Sequence, residues 1–307
     1  MENKSILVVG GTGYLGGKVI NHLLKQNVKV SALVRATSNT KELELKGVTI
    51  VVGDISKPET LAPALKNIDA VISTAIGYSN RKKGDNLKSV DDAGNRNLVD
   101  VIKEAKIKRF VFTSVLNVHQ AESVPHFWQK KLIEDYMEEK GIPFISLRPG
   151  AFLDQSPNQD FYAGGLKKGS LRVMGSTSIK WTNILSEDLA KYLAIAAMDE
   201  RIPNGRIDIG MNEPMNPQML ASFASEYSGK QIKVSALPWS IIGSVFSFAG
   251  VFKSEMYDLK KMFDYMFTGK YVADTSLQQK YFGEVPTVKD SVYRYCEQIG
   301  LPKNNKT

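Results

Sequence analysis

The chain of 307 residues contains one cysteine and three histidines. One cysteine excludes an internal disulfide and any cysteine-based zinc site, and it points to a reducing, cytoplasmic compartment. Cys296 itself is expected to be a packed residue on the last helix. With no His or Cys at ligand spacing, no metal is expected. Long hydrophobic runs are missing as well. The most apolar stretch, WSIIGSVFSFAGVF at 239–252, is too short to span a bilayer. A buried or partner-facing helix is the expectation there, ahead of a membrane contact. The first strand begins so close to Met1 that no room is expected for a signal or transit peptide. The net charge is +8, yet no basic run is longer than Arg81-Lys82-Lys83. Aromatics are not interleaved with the basic residues as on a nucleic-acid stacking surface, so no nucleic acid is expected as a partner. The positive excess suits an anionic cofactor instead.

What is present is a regular alternation. An apolar content of 43% with 23% charged residues describes a soluble globular protein. SILVVG (5–10), VKVSALV (28–34), VTIVVGD (48–54), DAVISTA (69–75), RFVFTSV (109–115) and PFISLRP (143–149) read as strands. Helices are expected over 14–26, 85–105 and 126–140. Continuously apolar strands separated by helices imply a parallel sheet covered on both faces, and right-handed crossovers make it a doubly wound α/β fold of the Rossmann type. The rhythm loosens after Gly150. Residues 1–150 are therefore expected to form a dinucleotide-binding domain. Residues 151–307 are expected to form a smaller α+β lobe over the carboxyl ends of the strands, with helices at 186–199, 216–228, 254–268 and 288–299.

The stretch VVGGTGYLGGKVI at 8–20 explains the first half. Gly10, Gly13 and Gly16 are spaced G-x-x-G-x-x-G between a strand and a helix, with Gly11 adding a further permissive position. There a tight turn admits a pyrophosphate to the backbone, and the helix N-terminus offers N–H groups and a favourable dipole. Thr12, Tyr14 and Leu15 belong to the same turn. At the end of the second strand, where NAD-preferring sites carry an acid for the ribose hydroxyls, stands Arg35. A guanidinium suits a 2′-phosphate, so NADP(H) is expected over NAD(H).

GGTGYLG, with VGDISKPETLAPALKNIDAVIST (52–74), VDDAGNRNLVDVIKEAKIKRFVFTSV (90–115) and PHFWQKKLIEDYMEEKGIPFISLRPGAF (125–152), resembles the atypical short-chain dehydrogenases/reductases. The H-F-x-x-K helix and L-R-P-G turn are similar to the NmrA-like branch, with isoflavone-reductase-like enzymes as neighbours. The resemblance implies an NADP-binding oxidoreductase. It places Asp54 and Ile55 near the adenine, Thr74 and Ala75 beside the cofactor after the fourth strand, and Pro149 and Phe152 at the turn beyond the sixth.

The resemblance also raises the question of the acid. Short-chain dehydrogenases use Tyr-x-x-x-Lys on one helix face with a Ser on the preceding strand. Lys130 fits the lysine and Ser114 the serine, with Thr113 as its alternate. Four residues before Lys130 stands His126, and four before Lys131 stands Phe127, so the tyrosine is absent. Lys130 then becomes the expected acid, with His126 as relay. His22, behind the glycine turn, is expected at the surface, and His119 has no spacing that assigns it. Phe152, Phe161, Tyr162 and Trp181 are candidates for an apolar substrate wall suited to a quinone-like or aromatic small molecule. The other class of function is a non-catalytic NADP(H)-binding sensor or assembly protein that acts through a protein partner.

Overall fold

The structure is a computed structural model that describes residues 4–77, 84–155, 160–283 and 285–304. The basic run 81–83 lies outside the described residues. In chain order the elements are β1 (Ser5–Val9), α1 (Tyr14–Leu24), β2 (Lys29–Val34), α2 (Lys41–Leu45), β3 (Thr49–Val52), β4 (Ala70–Ser73), α3 (Asn95–Glu104), β5 (Arg109–Thr113), α4 (Pro125–Glu139), β6 (Phe144–Pro149), β7 (Ala151–Phe152) and α5 (Ala163–Lys167). They continue with β8 (Ser170–Met174), β9 (Asn183–Ile184), α6 (Ser186–Met198), β10 (Gly205–Ile209), α7 (Pro217–Ser228), β11 (Lys233–Leu237), α8 (Trp239–Gly250), α9 (Ser254–Met266), α10 (Ser276–Phe282) and α11 (Val288–Gln298).

Seven strands form one sheet in the order β10-β6-β5-β4-β1-β2-β3. Every registered pair from β3 through β6 is parallel. The expected Rossmann-type doubly wound sheet is therefore the fold. Both faces are covered, which is why the strand sequences are apolar throughout rather than alternating. On one face α1 packs against α6, and the two lie over β1, β2, β4 and β5. Buried Gly16, Val19, Ile20 and Leu23 of α1 recur at helical spacing and supply its inner stripe. The opposite face carries Leu7, Val9, Val71, Phe110, Phe112 and Phe144, packed under Leu98 and Ile102 of α3 and Ile133 and Met137 of α4.

The helix expected over 85–105 is two pieces. A π-wound segment, Leu87–Gly94, precedes α3 and is opened by a reciprocal cap between Asn86 and Ser89. Wider winding of this kind gathers at functional sites. Here it carries the buried Asp91 to the end of β4, where the Asp91 carboxylate accepts the Gly77 N–H at 2.9 Å.

The chain divides into two compact units. The first is 1–122, 126–148 and 186–207; the second is 123–125, 149–185 and 208–307. A single cut after residue 150 differs from this division, because 186–207 returns to the first unit. The reason is packing: α6 covers the sheet beside α1, and β10 extends the sheet beyond β6. The second unit holds two small parallel ribbons, β8 with β11 and β7 with β9. Its core includes Leu153, Leu171, Met215, Leu220, Val292 and Cys296. Cys296 is fully buried on α11, as expected, and burial pushes its thiol up to about 12.

Candidate functional site

The glycine turn has the geometry its spacing implies. Gly10 takes a φ of +86°, and a Cβ there would stand 2.7 Å from the Thr74 hydroxyl. A Cβ on Gly16 would stand 2.2 Å from the Gly10 carbonyl oxygen, so this glycine lets α1 approach β1 closely. Gly13 caps α1 without a side-chain hydrogen bond, and no acidic residue occupies the first turn. The opening N–H groups of α1 are thus offered with their dipole to an anion. Thr12 and Gly13 are exposed at the turn; Tyr14 and Leu15 are half-buried.

The end of β4 closes against this turn. Thr74 N–H donates to the Val9 carbonyl at 3.0 Å, and its hydroxyl donates to the same oxygen at 3.1 Å. Nearby strand ends hold three buried hydroxyls, Ser73, Thr113 and Ser114, with no hydrogen-bond partner among the described residues. Such groups are costly unless something satisfies them. The Asp54 carboxylate accepts from Ser56 N–H and hydroxyl, which folds the loop after β3 onto itself. Ile55 is buried, and its carbonyl accepts from Asn97 of α3 at 2.9 Å. A cradle that a Cβ would fill, an uncapped helix start and orphaned hydroxyls together fit a phosphate-bearing dinucleotide.

Arg35 is half-buried at the end of β2 and is not isolated. Its Nη1 donates to both Asp85 oxygens, at 2.8 and 3.0 Å. Sequence reasoning missed Asp85, which is distant in the chain and carries no spacing signal.

Helix α4 presents two ionisable residues to the sheet. The Lys130 side chain is 8% exposed and that of Glu134 is 1% exposed. Residues four apart share a helix face, and this face lies over the Ser73–Phe112–Ser146 row of the sheet. Lys130 Nζ stands 4.8 Å from the centroid of the Phe112 ring, 3.8 Å from Asp91 Oδ1 and 3.5 Å from the Ala75 carbonyl oxygen. Burial pushes its ammonium below the ordinary lysine value, while Asp91 and then Glu134 pull it back part of the way. The lysine predicted from the motif is therefore brought to the segment after β4, beside predicted Ala75. Asp91 is a partner that no spacing in the sequence reveals.

Glu134 sits in a fuller network. It accepts from the Ser146 hydroxyl at 2.6 Å, from Arg148 Nε at 3.0 Å and Nη2, and from Arg206 Nε at 2.8 Å. Burial would raise its pKa, but Arg148 and then Ser146 outweigh that and hold it below the usual carboxylate range. Ser114 is buried just past β5, and its N–H donates to the Leu147 carbonyl at 2.9 Å. His126 is half-buried on the first turn of α4, with its ring edge-on to Phe127 at 4.6 Å.

The remaining predicted residues are dispersed. His22 is half-buried and stands 2.8 Å from Glu187, so the expectation of a surface position is corrected: α6 covers that side of α1. His119 is exposed. In the second unit, Pro149 accepts at its carbonyl from the Tyr271 hydroxyl at 3.4 Å, and Phe152 pairs with Ile184 along β9. Trp181 is buried, Tyr162 is packed against the core of that unit, and Phe161 is exposed. With Phe152 half-buried on β7, the four aromatics differ in exposure.

Comparison with known proteins gives three kinds of match. The model of the NmrA-like family matches residues 2–281. The photosystem II assembly factor Ycf39 of Synechocystis sp. is 29% identical over 249 residues, covering 81% of this chain and 75% of that protein. An isoflavone reductase homolog of Nicotiana tabacum is 29% identical over 230 residues, 70% of each chain. Among solved structures, the triphenylmethane reductase of Citrobacter sp. complexed with NADP(H) aligns with a TM-score of 0.76 at 23% identity, over 94% of this chain and 99% of its own.

Proposed function

The chain belongs to the NmrA-like family, and on that premise we propose that it is an NADPH-dependent reductase acting on a small apolar carbonyl, enal or quinone-like substrate. The observation that carries this reading is Lys130, a buried lysine held against the end of β4. A buried lysine with a depressed pKa, held at the segment after β4, is suited to giving up a proton. Support also comes from the NADP(H)-bound triphenylmethane reductase, whose fold this chain shares.

In this reading Gly10, Gly13, Gly16 and the start of α1 hold the pyrophosphate. Arg35 turns from Asp85 to a 2′-phosphate, which favours NADPH over NADH. Asp54 and Ile55 border the adenine, and Thr74 and Ala75 the nicotinamide side. Pro149 and Phe152 are assigned as cofactor contacts on resemblance alone. Bound NADPH supplies a hydride to the acceptor carbon. Lys130 binds the nicotinamide ribose and gives its proton to the acceptor oxygen, directly or through water. His126 returns a proton from solvent, and Ser114 orients the acceptor.

A second reading, a nucleotide-binding assembly or regulatory protein, is favoured by the Ycf39 relative and by the absence of the tyrosine. NADPH oxidation across quinones, enals and aromatic ketones separates the two. Turnover with at least one class, abolished in Lys130→Met while NADPH still binds, supports the reductase. Tight NADPH binding with no oxidation in any class supports the second reading.

A further inference from the structure

The apolar stretch expected to be buried or partner-facing is packed on one side and open on the other. On α8 and the turn after it, Ile241 is 62% exposed, Val245 57%, Phe248 73%, Val251 77% and Phe252 76%. Residues 241, 245, 248 and 252 lie on one helix face. The opposite face is fixed. Trp239 packs with Phe246, Phe263 and Phe267, its indole N–H donates to Asp264 at 2.8 Å, and Gly243 is buried. The open face is therefore the outer side of an anchored helix, not a helix that has failed to pack.

We propose that this outer face of α8 seats the protein on an anionic lipid surface. Two observations choose lipid over a protein partner. First, α8 has no charged residue, and its serines at 244 and 247 donate back to the carbonyls of Ser240 and Gly243, at 2.7 and 2.9 Å. A face with no charge and with two of its three serine hydroxyls bonded internally asks little of hydrocarbon, whereas protein interfaces are rimmed by polar groups that bond across. Second, the surrounding charge is positive. Residues 230–270 contain six lysines, at 230, 233, 253, 260, 261 and 270, against three acids. Of those acids, Asp258 is buried and Asp264 is paired with Lys260 and bonded by Trp239, which leaves five lysines against Glu255. Lys253 directly follows Phe252 and is exposed. Two copies meeting on this face would bring like charges together, while anionic headgroups would attract them. No helix among the described residues is long and apolar enough to cross a membrane, so the contact is peripheral.

The test is flotation of the full chain with vesicles of phosphatidylcholine alone, or of phosphatidylcholine mixed with phosphatidylglycerol. The expected result is co-flotation with the mixed vesicles that falls as salt is raised. Phe248→Glu with Phe252→Glu should lower partitioning at least about tenfold. Lys253→Glu should lower it about fivefold, on mixed vesicles only. Ile241→Ser serves as an independent variant if the double substitution fails to fold, with circular dichroism and NADPH binding as controls. Equal binding to both vesicle types, or binding that survives the phenylalanine changes, overturns the proposal. So does a lack of binding accompanied by a light-scattering dimer that Phe248→Glu dissociates, which would make the face a contact between copies.

Discussion

Lys130 and Glu134 stand one turn apart on the same buried face of α4, and the fold treats them in opposite ways. Glu134 receives four hydrogen bonds from Ser146, Arg148 and Arg206. Its charge is fully answered, and the bonds tie α4 to β6 and to Arg206 at β10. Lys130 has one carboxylate at 3.8 Å, one carbonyl at 3.5 Å and a ring face. Its charge is answered only in part, and burial works against it. A satisfied buried ion holds structure together, whereas a poorly satisfied one carries a cost that function can justify.

The largest effect expected from breaking this contrast is on the glutamate side. Glu134→Gln leaves the largely buried Arg148 without a counter-charge, while Arg206 keeps Glu138 at 2.8 Å, and should cost about 3 kcal/mol in urea unfolding. The sign with pH follows from the lowered pKa. The unfolded chain takes up the Glu134 proton near the ordinary value of 4.5 and the native state only below it. The stabilisation is therefore complete above that value and is lost as pH falls through the native pKa. The acid limb of the stability profile should flatten in the variant.

Next in size is Lys130→Met, with a fall in turnover of about a hundredfold and a smaller loss of stability than Glu134→Gln. Lys130→Met combined with Asp91→Asn removes both charges and should recover stability without recovering turnover. A double variant that stays as unstable as the single one would show that the lysine serves packing.

Similar pairs exist at the cofactor turn. Gly16→Ala forces α1 away from β1 and should cost about 1–3 kcal/mol, as overpacking does; thermal unfolding and NADPH titration should both register it. Asp85→Ala should register in binding only. Removing the Asp85 carboxylate that competes for the partly exposed Arg35 is worth about 1 kcal/mol, so NADPH should bind a few-fold tighter by titration while NADH is unchanged. Equal gains for both cofactors would take Arg35 out of the 2′-phosphate role.

The central strands were legible because a doubly covered parallel strand must be apolar along its length, and RFVFT or FISL leaves few other readings. The glycine turn was legible because its conformations demand glycine within a few residues. The partners were not. Asp91 meets Lys130, and Asp85 meets Arg35, only after crossovers bring distant segments together. The return of 186–207 to the first unit is likewise decided by which face of α1 remains to be covered. For α8, periodicity reveals an apolar face but not what covers it, so 239–252, expected to be buried or partner-facing, is packed within the chain on one side only.

The most direct test of the difference between the two α4 residues is to measure turnover and unfolding free energy together for Lys130→Met and Glu134→Gln. The account predicts that Lys130→Met loses mainly turnover, and that Glu134→Gln loses mainly stability while its folded fraction keeps turnover near wild type. Matching losses of turnover and stability in the two variants, or a Lys130→Met protein as fast as wild type, would contradict it.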